Sequence, residues 1–356
     1  MKRMRMAVVG CGHLGAIHAR LLAARADAEL VAVVDPLPES RDRVAAAHGC
    51  RGLAEPRELV GLVDAAVVAA PTGLHTGVAV PLLEGGIDLL VEKPLAAGVE
   101  DARAIVIAAR RCGRTVAVGH VERFNPAWQT AAARAGAASF IEATRTAPFT
   151  FRSLDVGVIH DLMIHDIDLV LSLDPGRLER VEARGIVATG GFEDAVRARL
   201  VFASGLIADL TASRISPAAR RTVSLWSPDA MVHCDLTAKT VEVVSPSESV
   251  RSGSFSATAV PAAERTGMKD RFFTDILPFE TLTVADANAI AGEHDDLLAA
   301  IRERRPPLVT AAAGAAAVEI AARVLDALEC TRFGRGRVGS PGRTPTIPMF
   351  PHRKTG

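Results

Sequence analysis

The sequence predicts an α/β chain in two parts: an N-terminal domain on a parallel, doubly wound sheet, and a C-terminal α+β domain with a large, mostly antiparallel sheet. Three observations predict it. Short apolar strand-like runs alternate with helical runs over the first 120 residues. A glycine-rich turn, Gly10-Cys11-Gly12-His13-Leu14-Gly15, joins the first strand to the first helix. Beyond Gly119, strand-like runs follow one another without helices between them.

In chain order, strands are expected at 5–9, 29–34, 65–70, 88–91 and 115–118. Helices are expected from the glycine turn to about Arg25 and at 38–48, 74–84 and 99–111. This alternation implies right-handed crossovers in one parallel sheet. Residues 123–126 form a polar connector, which sets the first domain at 1–122. Past it come a strand at 139–145, an amphipathic helix at 161–173, and strands at 178–187, 195–202, 206–213, 222–227, 231–235 and 240–244. Consecutive strands of this kind pair antiparallel. Residues 245–265 read as a loop, and helices at 288–304 and 311–328 complete a second domain at 123–331. Residues 332–356, rich in Gly, Pro and Arg, read as a loose tail.

Composition narrows the function. Lys+Arg and Asp+Glu are both 41, and this zero balance argues against a nucleic-acid binder. Five cysteines, none in a CxxC pair, fit reduced thiols in a cytoplasmic protein better than a disulfide framework or a zinc site. The basic, apolar start passes straight into the glycine turn without a cleavage-type site, so no signal peptide is expected. No apolar run approaches the ~20 residues of a membrane span. Tyrosine is absent, which excludes the Tyr-x-x-x-Lys chemistry of short-chain dehydrogenases. Lysine occurs only at 2, 93, 239, 269 and 354, so Lys93, inside an apolar segment, needs a reason.

The turn is a G-x-G-x-x-G. Gly10 permits the tight bend, Gly12 lets backbone approach a pyrophosphate, and Gly15 lets helix pack on strand. The helix N-terminus, at His13 and Leu14, offers N–H donors to phosphate. Asp35 lies twenty residues beyond Gly15 at the end of the second strand. In a Rossmann domain an Asp there accepts from the adenosine ribose and repels a 2′-phosphate, favouring NAD; nearby Arg41 and Arg43 keep NADP open.

Two further segments carry chemistry. Glu92-Lys93-Pro94 ends the fourth main strand, where ligands bind in such sheets. Lys93 there can stabilise a developing alkoxide, with Glu92 orienting it or contacting the cofactor; the alternative is a strand-end salt bridge. Asp161 and His165 are spaced i, i+4 and share a helix face, so Asp161 can orient His165 as a general base. Two histidines without a third convergent ligand make a poor zinc site, and no metal is expected.

The turn, the E-K-P strand end and the D-x-x-x-H-D helix, in this order, resemble the Gfo/Idh/MocA family of oxidoreductases. Ala70-Pro71-Thr72 with His75, and the segment 300–307, extend the likeness over most of the chain. The resemblance implies an open, largely antiparallel C-terminal sheet that often mediates oligomerisation, here to a dimer or tetramer. It also implies Lys93, Asp161 and His165 as the catalytic set. With it, Gly10, Gly12, His13, Leu14, Gly15, Asp35, Pro71, Thr72, His75, Glu92 and Lys93 make up the NAD site. Residues 119–126 and 147–152 resemble the branch of the family that oxidises the 3-hydroxyl of UDP-N-acetylglucosamine, whose keto product an aminotransferase can take toward diamino-sugar lipid A. His160 stands where that branch is expected to be apolar. A UDP-sugar carries two phosphate charges, for which Arg123, Arg145, Arg152 and Arg214 are candidates. Asn125 either contacts substrate or nicotinamide, or simply starts a helix before Pro126. A free polyol or monosaccharide substrate, or an NAD-dependent glycosidase that returns the hydride each turnover, stays open.

Overall fold

The computed structural model describes residues 3–151, 156–334 and 336–338. The first sheet is parallel throughout, in the order β3-β2-β1-β4-β5-β6. Its strands are β1 (Met4–Val9), β2 (Ala28–Val34), β3 (Arg51–Leu53), β4 (Ala65–Val68), β5 (Asp88–Glu92) and β6 (Val116–Gly119). The connecting helices are α1 (His13–Ala23), α2 (Pro38–His48), α3 (His75–Glu84) and α4 (Val99–Cys112). Strands β4, β5 and β6 are buried along their whole length, as helix cover on both faces requires. The order reverses between β1 and β4, so a crevice opens at the carboxyl ends beside the glycine turn.

Helix α5 (Pro126–Ala135) leads into a ten-stranded sheet. Its strands are β7 (Phe140–Thr146), β8 (Leu178–Val187), β9 (Ala195–Phe202), β10 (Ile207–Ser213), β11 (Arg220–Trp226), β12 (Met231–Asp235), β13 (Thr240–Val244), β14 (Phe279–Leu282), β15 (Leu328–Arg332) and β16 (Gly336–Val338). Only the β7–β10 and β8–β15 pairs are parallel. Helix α6 (Ile164–Leu171), entered through a π-helical turn at Ile159–Met163, packs on one face. The segment expected as a loop, 245–265, carries one short α-helix, α7 (Glu248–Arg251), and α8 (Arg265–Asp270) begins at its end. The tail expected to start at 332 begins as a strand pair, because β15 adds to β8 and β16 folds back on it; residues 339–356 lie outside the described residues.

The last two long helices reach back to the first sheet, and α10 also packs on β8 of the second. Helix α9 (Ala289–Glu303) lays Leu297 and Leu298 into the core formed by Met6, Val8, Leu30 and Leu90 of the first sheet. Helix α10 (Ala311–Asp326) packs between α4 and α6, and Val309 accepts from Val118 N at the β6 edge. The chain therefore returns to its first half through two helices that follow the second sheet in sequence. Their apolar faces are needed to cover a sheet whose own helices leave it partly open. No helix of the described residues is long and apolar enough to cross a membrane.

Candidate active site

The glycine turn runs from β1 into α1. Gly10 has φ +97°, and a Cβ there would lie 2.5 Å from the Ala69 carbonyl oxygen. A Cβ on Gly15 would come within 1.7 Å of the Gly10 carbonyl oxygen. Gly12 differs: a Cβ on it meets nothing within 4 Å, and no side chain caps the α1 N-terminus. That open, uncapped helix end is what a pyrophosphate needs. Asp35 accepts from Cys11 N at 2.8 Å through Oδ2 and from Leu37 N at 2.9 Å through Oδ1, so it shapes the turn and keeps lone pairs for a ribose. These residues fit a dinucleotide.

Across the crevice, a cleft of about 280 Å³ is lined by Pro71, Thr72, Lys93, His160 and Asp161, among others. Lys93 Nζ donates to the Asp161 carbonyl at 2.7 Å and stands 3.6 Å from its carboxylate. Burial lowers the Lys93 ammonium below its usual range, against the pull of Asp161 and Glu92. Behind it, Glu92 Oε2 accepts from Lys93 N, and Oε1 pairs with His18 Nε2 at 2.8 Å. His18 Nδ1 meets His294 Nε2 at 2.8 Å, so α1, β5 and α9 are tied together directly beneath the lysine.

Sequence spacing placed Asp161 beneath His165. The structure does not join them: no hydrogen bond links the pair among the described residues, and the sealed His165 Nδ1 has no partner. The π turn at Ile159–Met163 is the reason. A wider turn shifts the phase that an i, i+4 pair relies on, and Asp161 swings toward Lys93 instead. His165 is held well below 6.5 by burial, then by Lys93 and Arg145, so it rests as a neutral base. His160, which lines the cleft, is lowered to about 4 by burial and Lys93.

Other expected site residues are spent on the scaffold. His75 is buried with Nδ1 at 2.9 Å from the Pro94 carbonyl and Nε2 at 2.8 Å from that of Ala70; it braces the cleft wall rather than reaching a cofactor. Asn125 caps α5 by accepting from Ala127 N and donates to Glu122 and the Leu236 carbonyl, so the helix-start alternative describes it. Arg145, expected to meet a phosphate, is buried and saturated: it forks onto Asp166 and donates to Glu122 at 2.7 Å. Burial alone would raise the Glu122 carboxyl, but Arg145 outweighs it and holds it below its usual range. Arg123 stands 3.5 Å from Asp168. Arg152 lies outside the described residues.

Arg214 remains at a cleft. It is held by Asp194 at 2.8 Å and lies 5.5 Å from the Phe149 ring centroid. With Phe149, Thr150 and Leu162 it lines a second cleft of about 180 Å³, which shares Asp161 with the first. Sequence reasoning missed His18, Glu293 and His294, and gave no role to His120, Glu122, Asp166 and Asp168 although they stand in its motif segments. All are buried polar groups in segments that read as strand ends or helices, and only the unusual cost of burying them marks them out.

A phosphate-binding turn, with a lysine just past the end of β5 facing a buried imidazole on α6, defines a nicotinamide-dependent oxidoreductase. The profile described as "Oxidoreductase family, NAD-binding Rossmann fold" matches residues 4–120, and the GFO/IDH/MocA C-terminal domain matches residues 107–235. A UDP-N-acetylglucosamine 3-dehydrogenase of Acidithiobacillus ferrooxidans is 33% identical over 92% of this chain and 98% of its own. Its solved structure superposes with a TM-score of 0.80. A scyllo-inositol 2-dehydrogenase (NAD(+)) of Bacillus subtilis is 30% identical over 60% of this chain and 68% of its own. The scyllo-inositol dehydrogenase of Lactobacillus casei, solved with NAD(H) and scyllo-inositol, shares the fold at 18% identity and TM-score 0.71, covering 92% of this chain and 97% of its own. The chain belongs to the Gfo/Idh/MocA family of NAD-binding oxidoreductases.

Proposed function

We propose that this chain oxidises the 3-hydroxyl of UDP-N-acetylglucosamine with NAD, yielding the 3-keto sugar nucleotide. The observation that carries the reading is the pair of clefts meeting at Asp161. The first holds the reacting sugar against Lys93, and the second, lined by Phe149 and Arg214, adds a separate space beside it for the nucleotide end. The near full-length likeness to a UDP-N-acetylglucosamine 3-dehydrogenase supports it.

NAD supplies the hydride acceptor when bound. The residues do the rest. Lys93 donates to the substrate oxygen and stabilises the charge that develops on it. Asp161 fixes Lys93 from its carbonyl and carboxylate. His165, neutral at rest, takes the hydroxyl proton. Arg214 and Phe149 meet the nucleotide end. Pro71 and Thr72 wall the cofactor side of the cleft.

Several consequences belong to the same reading. The exposed face of the second sheet carries Phe140 stacked on Trp226 at 5.1 Å, together with half-exposed Met231, and serves a homo-oligomer, dimer or tetramer. The enzyme works in the cytoplasm, and the keto product passes to an aminotransferase toward lipid A diamino sugars. Residues 1–122 and 123–331 divide the cofactor and substrate roles. The test is NADH absorbance on mixing enzyme, NAD and UDP-N-acetylglucosamine, coupled to an aminotransferase if the keto product inhibits. Turnover of scyllo-inositol instead, with no thermal shift from UDP, would assign a free polyol; no net NADH release with glycoside cleavage would assign the glycosidase chemistry.

A further inference from the structure

Beside His165, among residues that line neither cleft, lies a group of polar atoms that the proposed reaction leaves unassigned. His165 Nδ1, both ring nitrogens of His120 and both carboxylate oxygens of Asp168 are sealed from solvent and make no hydrogen bond to protein. Buried polar atoms are almost always paired, with protein or with ordered water. Five such atoms on three neighbouring side chains are therefore a feature to explain. The His120 and His165 rings meet edge to face with centroids 6.5 Å apart. Two ring nitrogens that share one water, each about 2.8 Å from it, span up to about 5.6 Å, which this spacing admits. Asp168 is the strongest opposing charge on His120, and Arg123 Nη1 stands 3.5 Å from the far side of Asp168.

The oxidation releases a proton that has to leave. His165 is a poor place to keep it, because Lys93, Arg145 and Arg221 all face that imidazole and a buried imidazolium beside them is costly. Lys93, Glu92 and Arg123 face His120 in addition to Asp168. Among these groups Asp168 is the carboxylate that accepts no hydrogen bond among the described residues, and burial favours its protonated form against the pull of His120 and Arg123.

We propose that His120 and Asp168 form a proton relay beside the catalytic base, carrying the substrate's hydroxyl proton from His165 through buried water to the Asp168 carboxylate. The inference rests on the dehydrogenase reading but not on which sugar is oxidised. The carbon's hydrogen leaves with its bonding electrons to the nicotinamide, and the O–H electrons become the second carbonyl bond. The hydroxyl proton binds His165 Nε2 as the Nδ1 proton passes to the bridging water. The water gives a proton to one nitrogen of His120, and the other nitrogen passes its proton to Asp168 through a second buried water, since no direct hydrogen bond joins the two side chains. Both rings end neutral in the opposite tautomer, and one carboxylate has become a carboxylic acid; once the product has left, the reverse sequence returns the proton to His165 Nε2, which is not among the sealed atoms, and from there to solvent. His120 and Asp168 are positioning residues here, since neither touches substrate or cofactor.

Asp168→Asn keeps shape and removes the final acceptor; His120→Phe removes the middle step. Each is expected to lower kcat about 10- to 100-fold, short of the 10²–10⁴ that a general base itself supplies, with KM for NAD and substrate within about threefold. The double variant should be no slower than the worse single, and the solvent deuterium isotope effect on kcat should rise. Nitrogen-15 NMR of the histidine rings gives a readout without turnover: the His165 signals should change tautomer ratio and titration in both variants. Unchanged kcat and unchanged His165 signals in a folded Asp168→Asn protein overturn the relay, as do losses that multiply in the double variant. If the wild type turns over neither UDP-N-acetylglucosamine nor scyllo-inositol, the dehydrogenase reading fails, and the NMR comparison still decides whether His165 and Asp168 are coupled.

Discussion

Lys93 and Asp161 form one unit: the lysine ammonium is held at 2.7 Å by the aspartate's carbonyl and faces its carboxylate at 3.6 Å, across the junction of the two sheets. The contact brings a residue from the end of β5 against the turn that opens α6. It leaves Asp161 engaged with Lys93 rather than with His165, and in the proposed reaction Lys93 is the donor to the substrate oxygen and His165 the base.

Lys93→Met should separate chemistry from binding. The donor is lost, and removing a single donor to a developing oxyanion typically costs about 10²–10³ in kcat. The glycine turn and Asp35 are untouched, so the dissociation constant for NAD should stay within about threefold. Stopped-flow NADH formation and calorimetric NAD titration check the two halves. A variant that binds NAD poorly but turns over normally when saturated would remove Lys93 from the chemistry.

The pH profile follows from the two shifts. His165 works deprotonated and is held well below 6.5 by burial, Lys93 and Arg145, so kcat/KM should persist as pH falls through 6.5 and fail only further down. Lys93 works protonated and is lowered from 10.5 by burial, so activity should be lost as pH rises through a value below 10.5. The acid limb should vanish in His165→Gln along with most of the rate. An acid limb centred at or above 6.5 would mean that His165 is not the titrating base.

Arg145→Met should destabilise rather than merely slow the enzyme. Its guanidinium lies between Glu122 and Asp166 with all three groups buried, and removing one partner of a buried pair leaves uncompensated charge, worth about 3–5 kcal/mol. Arg145→Lys should recover little, because an ammonium cannot fork onto a carboxylate. Adding Asp166→Asn to Arg145→Met should restore part of the loss. Denaturant unfolding measures this, and UDP affinity in the folded fraction should be unaffected. A large drop in UDP affinity with unchanged stability would return Arg145 to the substrate.

Local patterns were legible in the sequence because they depend on neighbours in the chain. The Pro38–His48 helix and the strands at Leu178–Val187, Ala195–Phe202, Met231–Asp235 and Thr240–Val244 stand where periodicity put them. The glycine turn and Asp35 were readable for the same reason. What escaped depends on distance or on a change of helical phase. Arg145 meets carboxylates that lie on two other elements, and His18 meets His294 from the far end of the chain. Nothing local distinguishes such a residue from a surface one. Asp161 was assigned to His165 on α-helical spacing, and a π turn rotated it to Lys93. The edge strand β14, four residues long with three exposed, is too short to show alternation. Helices α9 and α10 were recognised as helices, but which sheet they cover is a long-range choice that amphipathicity alone leaves open.

Asp35→Ser tests whether the Asp35 carboxylate sets the cofactor preference through charge. The carboxylate accepts from Cys11 N and Leu37 N and sits half-exposed at the end of β2, where an adenosine ribose lies in such folds. Losing hydrogen bonds to a charged acceptor costs about 1.5–3 kcal/mol, which weakens NAD binding roughly 10- to 150-fold. NADP should gain, since the repulsion of its 2′-phosphate is relieved and Arg43, whose Nη2 donates to the Cys11 carbonyl at 3.3 Å, lies beside the turn. The ratio of kcat/KM for NAD over NADP should therefore fall by more than the loss in NAD binding alone. Adding Arg43→Ala should cancel the NADP gain and leave the NAD loss in place. If Asp35→Ser weakens both cofactors equally, the carboxylate serves only to hold the glycine turn, and the preference for NAD has another source.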